Sequence, residues 1–186
     1  MTVYKTKTRA PLMQKKGGIG HLNLPTYPTR FIGIDQSLSC TGVVCCDLKM
    51  RIKQAFCIPT NPDSLNEARI DWVGSSISSL LRVEGKQLHF VALERPAYAG
   101  SGQRDVLHGV YWEIRRRVYR YNPDLDIKLI AISSWKKFIA GNGRATKTQV
   151  KRAIERKYGH EFNDENIYDA YGLLRYAVAH WRKKHG

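Results

Sequence analysis

Short apolar runs separated by polar turns alternate along the chain with longer stretches of helical periodicity. Runs at 31–35, 41–46 and 52–58 are rich in apolar and β-branched residues, which predicts three successive strands joined by hairpins. Later runs of the same kind at 87–93 and 127–132 predict a fourth and a fifth strand. The chain is therefore expected to form a sheet in which local hairpins come first.

Helical periodicity occupies the intervals between and after these runs. Ser64 and Glu67 match a capping box at the start of the first helix, and Gly85 is predicted to end it. That helix is predicted to turn Leu65, Trp72, Ile77, Leu80 and Leu81 towards the core. The second long helix is predicted to bury Leu107, Val110, Tyr111, Ile114, Val118 and Tyr121. Two further helical stretches flank a loop at 141–146, and a last helix covers about 164–183.

The order of these elements predicts the class of fold. Three antiparallel strands, a helix, a strand, a helix, a strand and then helices resemble the succession of an α/β, RNase H-like fold, with one mixed five-stranded sheet flanked by helices. We expect a single domain at 30–186, preceded by a basic tail at 1–29. The tail has no acidic residue and is rich in glycine and proline, so it is either a disordered arm or a DNA-contacting arm.

The charge of the chain indicates a polyanionic partner. Lys and Arg number 31 against 16 Asp and Glu, giving a formal net charge of +15 and a pI of about 9.9. Nucleic acid is favoured over a membrane, since no apolar stretch approaches the roughly 18 residues that a spanning helix needs. The polar start also lacks the apolar segment of a secretory signal.

The four cysteines predict a reducing, intracellular location. Cys40, Cys45, Cys46 and Cys57 lie in or beside strand-like runs, where reduced core cysteines are usual. None belongs to a C-x-x-C pair, and the chain has no matching pair of histidines, so the spacing argues against zinc.

Three acidic residues stand in positions that are unusual for a carboxylate. Asp35 and Glu94 each end an apolar strand-like run, and Asp169 lies in an otherwise apolar helix. Burying carboxylates in such places is costly unless a cation shares them. In a strongly basic chain, the simplest interpretation is a divalent metal site that cuts nucleic acid.

The segments around these residues resemble the Holliday-junction resolvases of the RuvC type. Residues 33–37 with Thr41-Gly42 are similar to the first-strand aspartate motif of that family, and Glu94 is similar to its strand-terminal glutamate. Residues 135–150 resemble its glycine-containing loop with flanking lysines, and Asp169-Ala170 resembles the start of its closing helix. The resemblance extends from about 31 to 180 and leaves out the basic tail.

The resemblance implies an active site and a chemistry. It implies two Mg²⁺ ions, with Mn²⁺ as an alternative, about 4 Å apart. Asp35 would bridge both ions, while Glu94 and Asp169 would each hold one. Lys147, and beside it Lys136, would steady the scissile phosphate or its developing charge. On this basis Asp35, Glu94, Asp169 and Lys147 are the predicted catalytic residues.

The chain departs from the family at two places in this site. Gln36-Ser37 follows the first aspartate where the family commonly has Pro-Gly. Asn166 stands where cellular members often carry another ligand, one helical turn before the last aspartate. It is predicted to offer a neutral oxygen to a metal or to position a water. The predicted DNA-binding residues are Lys136, Arg144, Lys147, Lys151 and Tyr98, the last as a wedge between bases.

The function that follows is paired, metal-dependent hydrolysis of Holliday junctions or other branched DNA, in DNA recombination and repair. A symmetric four-way junction needs two matched incisions, so a homodimer is expected. Two alternatives stay open: another RNase H-like nuclease acting on flaps or RNA–DNA hybrids, and a non-catalytic branched-DNA-binding module. The expected location is a bacterial cytoplasm, and the compact, cysteine-bearing chain with its basic arm suggests a phage-like source.

Overall fold

The computed structural model describes residues 29–96 and 103–185, which form one sheet with helices on both faces. The strands are β1 (Arg30–Asp35), β2 (Cys40–Asp47), β3 (Ile52–Pro59), β4 (Leu88–Glu94) and β5 (Asp126–Ile130). The helices are α1 (Asn66–Glu84), α2 (Gln103–Tyr121), α3 (Ile132–Ala140), α4 (Lys147–Tyr158) and α5 (Glu165–His185). Apart from Thr29, the tail predicted at 1–29 lies outside the described residues.

The sheet confirms the predicted mixed five-stranded arrangement. Its strand order is β3-β2-β1-β4-β5, so β1 lies at the centre. β1, β2 and β3 pair in antiparallel fashion as successive hairpins, whereas β4 and β5 run parallel to β1. Because carboxyl ends of parallel strands meet at one edge of a sheet, the residues that end β1 and β4 become neighbours.

Alternation along the strands divides the interior into two hydrophobic layers. Ile32, Ile34 and Leu93 face the layer covered by α1 and α2. Phe31 and Phe90 face the opposite layer, which is covered by α3, α4 and α5. Within the described residues, no helix has the combination of length and apolar character that crossing a bilayer requires.

Two glycines let α5 approach the centre of the sheet closely. A Cβ atom at Gly33 in β1 would collide with the backbone carbonyl of Ala170, and one at Gly42 in β2 would collide with the backbone of Asn166. The absence of side chains at these strand positions therefore sets how deeply the first two turns of α5 lie on β1 and β2. Asp169 belongs to this part of the helix.

The start of α1 differs from the prediction. Leu65 is the N-cap residue and its side chain makes no capping hydrogen bond, so the capping box expected at Ser64 and Glu67 is wrong. Leu65 is 76% exposed and Trp72 57% exposed, so neither packs in the core as expected. The Trp72 indole instead donates a hydrogen bond to the carbonyl of Pro59, which holds the ring at the surface. The other three predicted core residues are buried.

Two smaller differences lie at the ends of elements. Tyr121 is 37% exposed rather than buried, because it ends α2 beside Gly85, where its ring occupies the space of a missing side chain. Gly85 ends α1 as predicted, in a right-handed conformation that leads into a 3₁₀ turn. The fifth strand ends at Ile130 instead of 132, because Ala131 is the N-cap of α3.

Candidate active site

Two carboxylates meet at the carboxyl edge of the two central parallel strands. Asp35 ends β1 and Glu94 ends β4, and these strands pair directly. Both residues follow the alternation of Phe31 and Phe90, so their side chains project from the face covered by α3, α4 and α5. Both are half-buried. The sheet thus presents two acidic side chains beneath the same helical layer.

A third carboxylate comes from α5. Asp169 is only 8% exposed, and its Oδ1 atom is fully buried with no hydrogen-bond partner among the described residues. The close packing of α5 on Gly33 explains why a helical residue reaches the strand ends. A buried carboxylate oxygen without a partner is uncommon, because it costs the full desolvation of a charged group.

The electrostatics of Asp35 indicate that all three groups are close together. Burial raises the pKa of the Asp35 carboxyl well above its ordinary value, and the charges of Asp169 and Glu94 raise it further. Lys147 and Lys136 oppose this rise without cancelling it. Mutual repulsion of this kind is relieved when a cation binds between the carboxylates.

The other two carboxyls are shifted in the same direction. Burial is the main cause of the raised pKa of Glu94, with a further contribution from Asp169. Burial likewise raises the pKa of Asp169 to about 6, while Lys136 and Lys147 lower it in part. Near neutral pH, the site therefore holds carboxylates that are more readily protonated than ordinary ones.

Two side chains hold Glu94 in position, and the sequence did not single them out for this role. The indole of Trp135, buried in α3, donates to Glu94 Oε2 at 3.1 Å. Gln36 is buried beside Asp35, and its amide donates to the backbone carbonyl of Glu94 at 2.8 Å. Gln36 therefore ties the end of β1 to the end of β4.

The predicted lysines border the carboxylates. Lys147 is the first residue of α4 and pairs with Glu165, the first residue of α5, at 3.4 Å. A capping box formed by Thr146 and Gln149 fixes the start of α4. Lys136 lies on α3 with its ammonium 5.6 Å from the centre of the Trp135 ring. Both lysines lower the pKa of Asp35 and of Asp169, so their charges act on the carboxylate cluster.

The remaining predicted DNA-binding residues that the structure describes lie on different elements from the carboxylates. Arg144 is exposed in the loop between α3 and α4, where its backbone N–H donates to Asn142 Oδ1 at 3.0 Å. Lys151 is exposed on α4, 3.9 Å from Glu155 and with its ammonium 5.6 Å from the Tyr168 ring centre. Tyr98 lies outside the described residues.

Asn166 lies beside the carboxylates on the first turn of α5. Its backbone rests on Gly42, the residue that pairs with Asp35 across β1 and β2. The Asn166 side chain is half-buried. Asp169 follows three residues later, on the same face of α5. This position is compatible with the predicted supporting role towards a metal, which stays a prediction, as do the roles of the other site residues.

Comparison with known proteins identifies the fold. No model of a protein family matches the sequence, and no curated protein matches it either. The chain is similar to the structure of RuvC from Thermus thermophilus, with a TM-score of 0.68, 14% sequence identity and coverage of 84% of this chain and 97% of that one. The same protein in complex with a Holliday junction substrate gives a TM-score of 0.71 at 15% identity, covering 84% of this chain and 96% of that one.

A weaker similarity joins the chain to a viral protein. The Holliday junction resolvase of fowlpox virus has a TM-score of 0.39 and 11% identity, covering 84% of this chain and 99% of that chain. The two bacterial structures share the mixed five-stranded sheet with flanking helices, and the predicted RNase H-like fold is thereby confirmed.

Proposed function

We propose that this protein is a Mg²⁺-dependent endonuclease that resolves four-way junctions or related branched DNA by phosphodiester hydrolysis. The observation that carries the proposal is the convergence of Asp35, Glu94 and Asp169 from β1, β4 and α5 beside two lysines. The likeness in fold to a bacterial protein solved with a Holliday junction substrate supports branched DNA as the substrate class.

The donor atoms at this site suit Mg²⁺ or Mn²⁺. Every candidate ligand is an oxygen: three carboxylates and the side-chain amide of Asn166. The partnerless, buried Oδ1 of Asp169 fits a ligand position, since metal coordination would offset its desolvation. The charges of both other carboxyls raise the pKa of Asp35, so Asp35 would hold the metal together with Glu94 and Asp169. Oxygen donors of this number match the hard cations rather than zinc or copper.

The protein's own residues would orient the reaction around the bound metal. Mg²⁺ at this site would supply an activated water and charge stabilisation for the leaving oxygen. Trp135 would keep Glu94 in one orientation, because the indole N–H is directed at Oε2. Lys147 and Lys136 would hold non-bridging oxygens of the scissile phosphate and stabilise its developing negative charge.

Basic side chains around the site would bind the DNA backbone. Residues 136–157 include Lys136, Arg144, Lys147 and Lys151 and have eight basic residues against one acidic residue. Such charge binds phosphates with little sequence information, so recognition would depend on the shape of the branch. Tyr98 is retained as a proposed wedge between bases.

A homodimer would match the two incisions that a junction requires. Trp112 and Tyr119 on α2 are 60% and 65% exposed, an unusual exposure for such large apolar rings. Arg115 lies over the Trp112 ring at 4.8 Å, between the two aromatic positions. This face of α2 is our proposed dimer contact, and Trp112→Glu is expected to convert a dimer into a monomer in sedimentation velocity. A wild-type monomer at micromolar concentration would contradict the proposal.

The substrate test is cleavage of a synthetic four-way junction beside a linear duplex, a flap and an RNA–DNA hybrid. Each substrate is incubated with Mg²⁺ or EDTA, for wild type and Asp35→Asn. Paired nicks on the junction that require Mg²⁺ and disappear in the variant are the expected result. Preference for the flap or the hybrid would instead favour another RNase H-like nuclease, and binding without cleavage would favour a non-catalytic module. An intracellular, phage-like origin remains part of the proposal.

A further inference from the structure

A second group of potential metal ligands lies where the hairpin of β2 and β3 meets the start of α5. It consists of Cys40 at the start of β2, Cys57 in β3 and Asp164 immediately before α5. One ligand atom from each residue lies within 4.8 Å of the other two, and all three side chains are half-buried. Cys45, by contrast, is fully buried in the apolar core. The group therefore differs in its ligand atoms from the site formed by Asp35, Glu94 and Asp169, where every candidate ligand is an oxygen.

Strand pairing creates this group from residues that are distant in sequence. In the register of β2 and β3, Cys57 lies opposite Gly42 and Cys40 lies opposite Pro59. The two thiols thus occupy diagonal positions on one face of the hairpin, the face on which α5 packs. Since the cysteines form no C-x-x-C motif, the spacing alone argued against zinc, and the pairing of β2 with β3 removes that objection.

Asp164 is fixed where its carboxylate meets the thiols. Its Oδ1 accepts a hydrogen bond from the backbone N–H of Asn166 at 2.8 Å, which caps the start of α5. Its carboxylate also interacts with the thiol of Cys57. The capping bond leaves the second carboxylate oxygen able to act as a metal ligand. The three donors thus come from three separate elements that are already held together.

We propose that Cys40, Cys57 and Asp164 form a zinc site, with a water molecule as the fourth ligand. Two sulfurs and a carboxylate oxygen are donors that Zn²⁺ accepts and Mg²⁺ does not favour. Tetrahedral bonds of about 2.0–2.3 Å separate ligand atoms by roughly 3.5–3.8 Å. The ligand atoms of the present group lie within 4.8 Å of one another, so the group needs to contract by about 1 Å at most. An ion here would join β2, β3 and the start of α5.

The charge of the occupied site suits its position. Two thiolates and one carboxylate around Zn²⁺ have a net charge of −1, and the amino end of α5 stabilises negative charge. In the metal-free protein, burial raises the pKa of the Cys57 thiol, and its hydrogen bonds with Cys40 and Asp164 raise it further. Zinc binding is consequently expected to release protons and to weaken as the pH falls.

Cobalt gives a direct readout of this site, because thiolate–cobalt charge transfer absorbs in the near ultraviolet and carboxylate ligands do not produce that band. The full chain, reduced and stripped with a chelator, is titrated with Co²⁺ and then with Zn²⁺ after four free thiols have been counted. We expect one thiolate-bound Co²⁺ per chain, displaced by one equivalent of Zn²⁺. Zinc at about 100 times its Kd is expected to raise the Tm by roughly 5–10 °C.

Matched variants assign the signal to the three residues. Cys40→Ser and Cys57→Ser should each lose the charge-transfer band or reduce it to that of one thiolate, with metal affinity falling. Asp164→Asn keeps both thiols and an N-cap residue, so it should retain the band while binding about tenfold or more weakly. Cys45→Ala, which removes a buried thiol outside the group, should give the wild-type thiolate band and the same Co²⁺ affinity measured from that band.

Two results would overturn the zinc proposal. One is the absence of a thiolate band in the reduced wild type, and the other is an unchanged band in both serine variants. Neither measurement contains DNA or depends on cleavage. A failure here consequently leaves the proposed nuclease untouched, and a failure of the nuclease leaves this site standing.

Discussion

Two buried aspartates of this chain have opposite surroundings. Asp47, 4% exposed at the turn from β2 to β3, accepts hydrogen bonds from the backbone N–H groups of Lys49 and Arg51 and from the Arg51 guanidinium. Although burial by itself would raise its pKa, these bonds hold the pKa of Asp47 below its ordinary value. Asp169, 8% exposed, has one oxygen without any partner among the described residues, and its pKa rises to about 6.

The difference in hydrogen bonding distinguishes a carboxylate that stabilises the fold from one that lacks donors and is suited to binding a cation. The turn supplies Asp47 with donors from its own neighbours, so its ionised form stabilises the fold. The site around Asp169 contains two other carboxylates. The charges of Lys136 and Lys147 offset only part of the rise in the pKa of Asp169. Folding alone does not satisfy this group, which is the physical reason to assign it a metal-binding role.

The largest expected difference between the two regions is in catalysis. Asp35→Asn should lower junction cleavage on the order of 10³-fold or more, because it removes the carboxylate shared by the proposed metal ions. Asp47→Asn should leave cleavage per folded molecule within about twofold. Single-turnover cleavage at saturating Mg²⁺ measures both, with junction binding followed by gel shift. Equal losses in the two variants would remove the distinction between the regions.

Stability should change in opposite directions when each buried aspartate is made neutral. In metal-free protein at pH 7.5, Asp169→Asn should raise the free energy of unfolding by about 1–3 kcal/mol, since it removes a charge that burial disfavours. Asp47→Asn should lower it by about 1–3 kcal/mol, because charge-assisted hydrogen bonds are weakened. Urea denaturation in EDTA gives both values. A destabilising Asp169→Asn would contradict the account of an unsatisfied carboxylate.

The next effect concerns the support of Glu94 by the Trp135 indole. Trp135→Phe keeps most of the buried ring but removes the hydrogen bond to Oε2, so the Mg²⁺ concentration for half-maximal cleavage should rise about 10–100-fold. Saturating Mg²⁺ should restore much of the rate. Trp72→Phe serves as the control and should leave the Mg²⁺ requirement unchanged, because Trp72 is exposed on α1 and its indole bonds to Pro59 and not to the carboxylates. Loss of rate without any change in Mg²⁺ requirement would argue against a positioning role.

The last prediction concerns the pH dependence of stability, which changes gradually over about two pH units. The folded pKa of Asp169 is raised from 3.8 to about 6, so the folded state binds more protons than the unfolded state between these values. The stabilising contribution is therefore complete below about pH 4 and is lost as the pH rises through 6, by at most about 1.4 kcal/mol per pH unit for this proton. The contribution of Asp47 has the opposite sign and is lost as the pH falls.

Denaturation of the metal-free protein from pH 4.5 to 8 isolates this effect. The free-energy difference between Asp169→Asn and wild type should grow with pH up to about 6.5 and then become constant. Mg²⁺ in excess should reverse the sign of that difference at pH 8, because only the wild type gains the bound cation. A difference that does not vary with pH would mean that Asp169 titrates as an ordinary aspartate.

Local sequence patterns were sufficient for the order of strands and helices and for singling out the three carboxylates as candidates. Asp35 and Glu94 each end a recognisable apolar run, and the pairing of parallel strands makes them neighbours. Trp72 was misassigned to the core because helical periodicity does not reveal that its indole bonds to Pro59 at the surface. Periodicity describes one element at a time, whereas exposure depends on what lies opposite.

Contacts between distant elements could not be obtained from the sequence. The Trp135 indole reaches Glu94 across 41 positions, and Gln36 reaches the same residue across 58. The ion pair of Lys147 with Glu165 depends on how α4 and α5 begin beside each other. Cys40 and Cys57 likewise meet only through the β2–β3 register. Each contact follows from tertiary packing, which the spacing along the chain does not encode.

The central claim is that Asp35, Glu94 and Asp169 form a divalent cation site whose binding displaces protons. Calorimetric titration of metal-free wild type and Asp169→Asn with Mg²⁺, at pH 6 and pH 8 in buffers of different ionisation enthalpy, tests it most directly. The account predicts tighter binding at pH 8, proton release at pH 6 that diminishes at pH 8, and much weaker binding in the variant. No Mg²⁺ binding by the wild type, or equal binding by the variant without proton release, would contradict it.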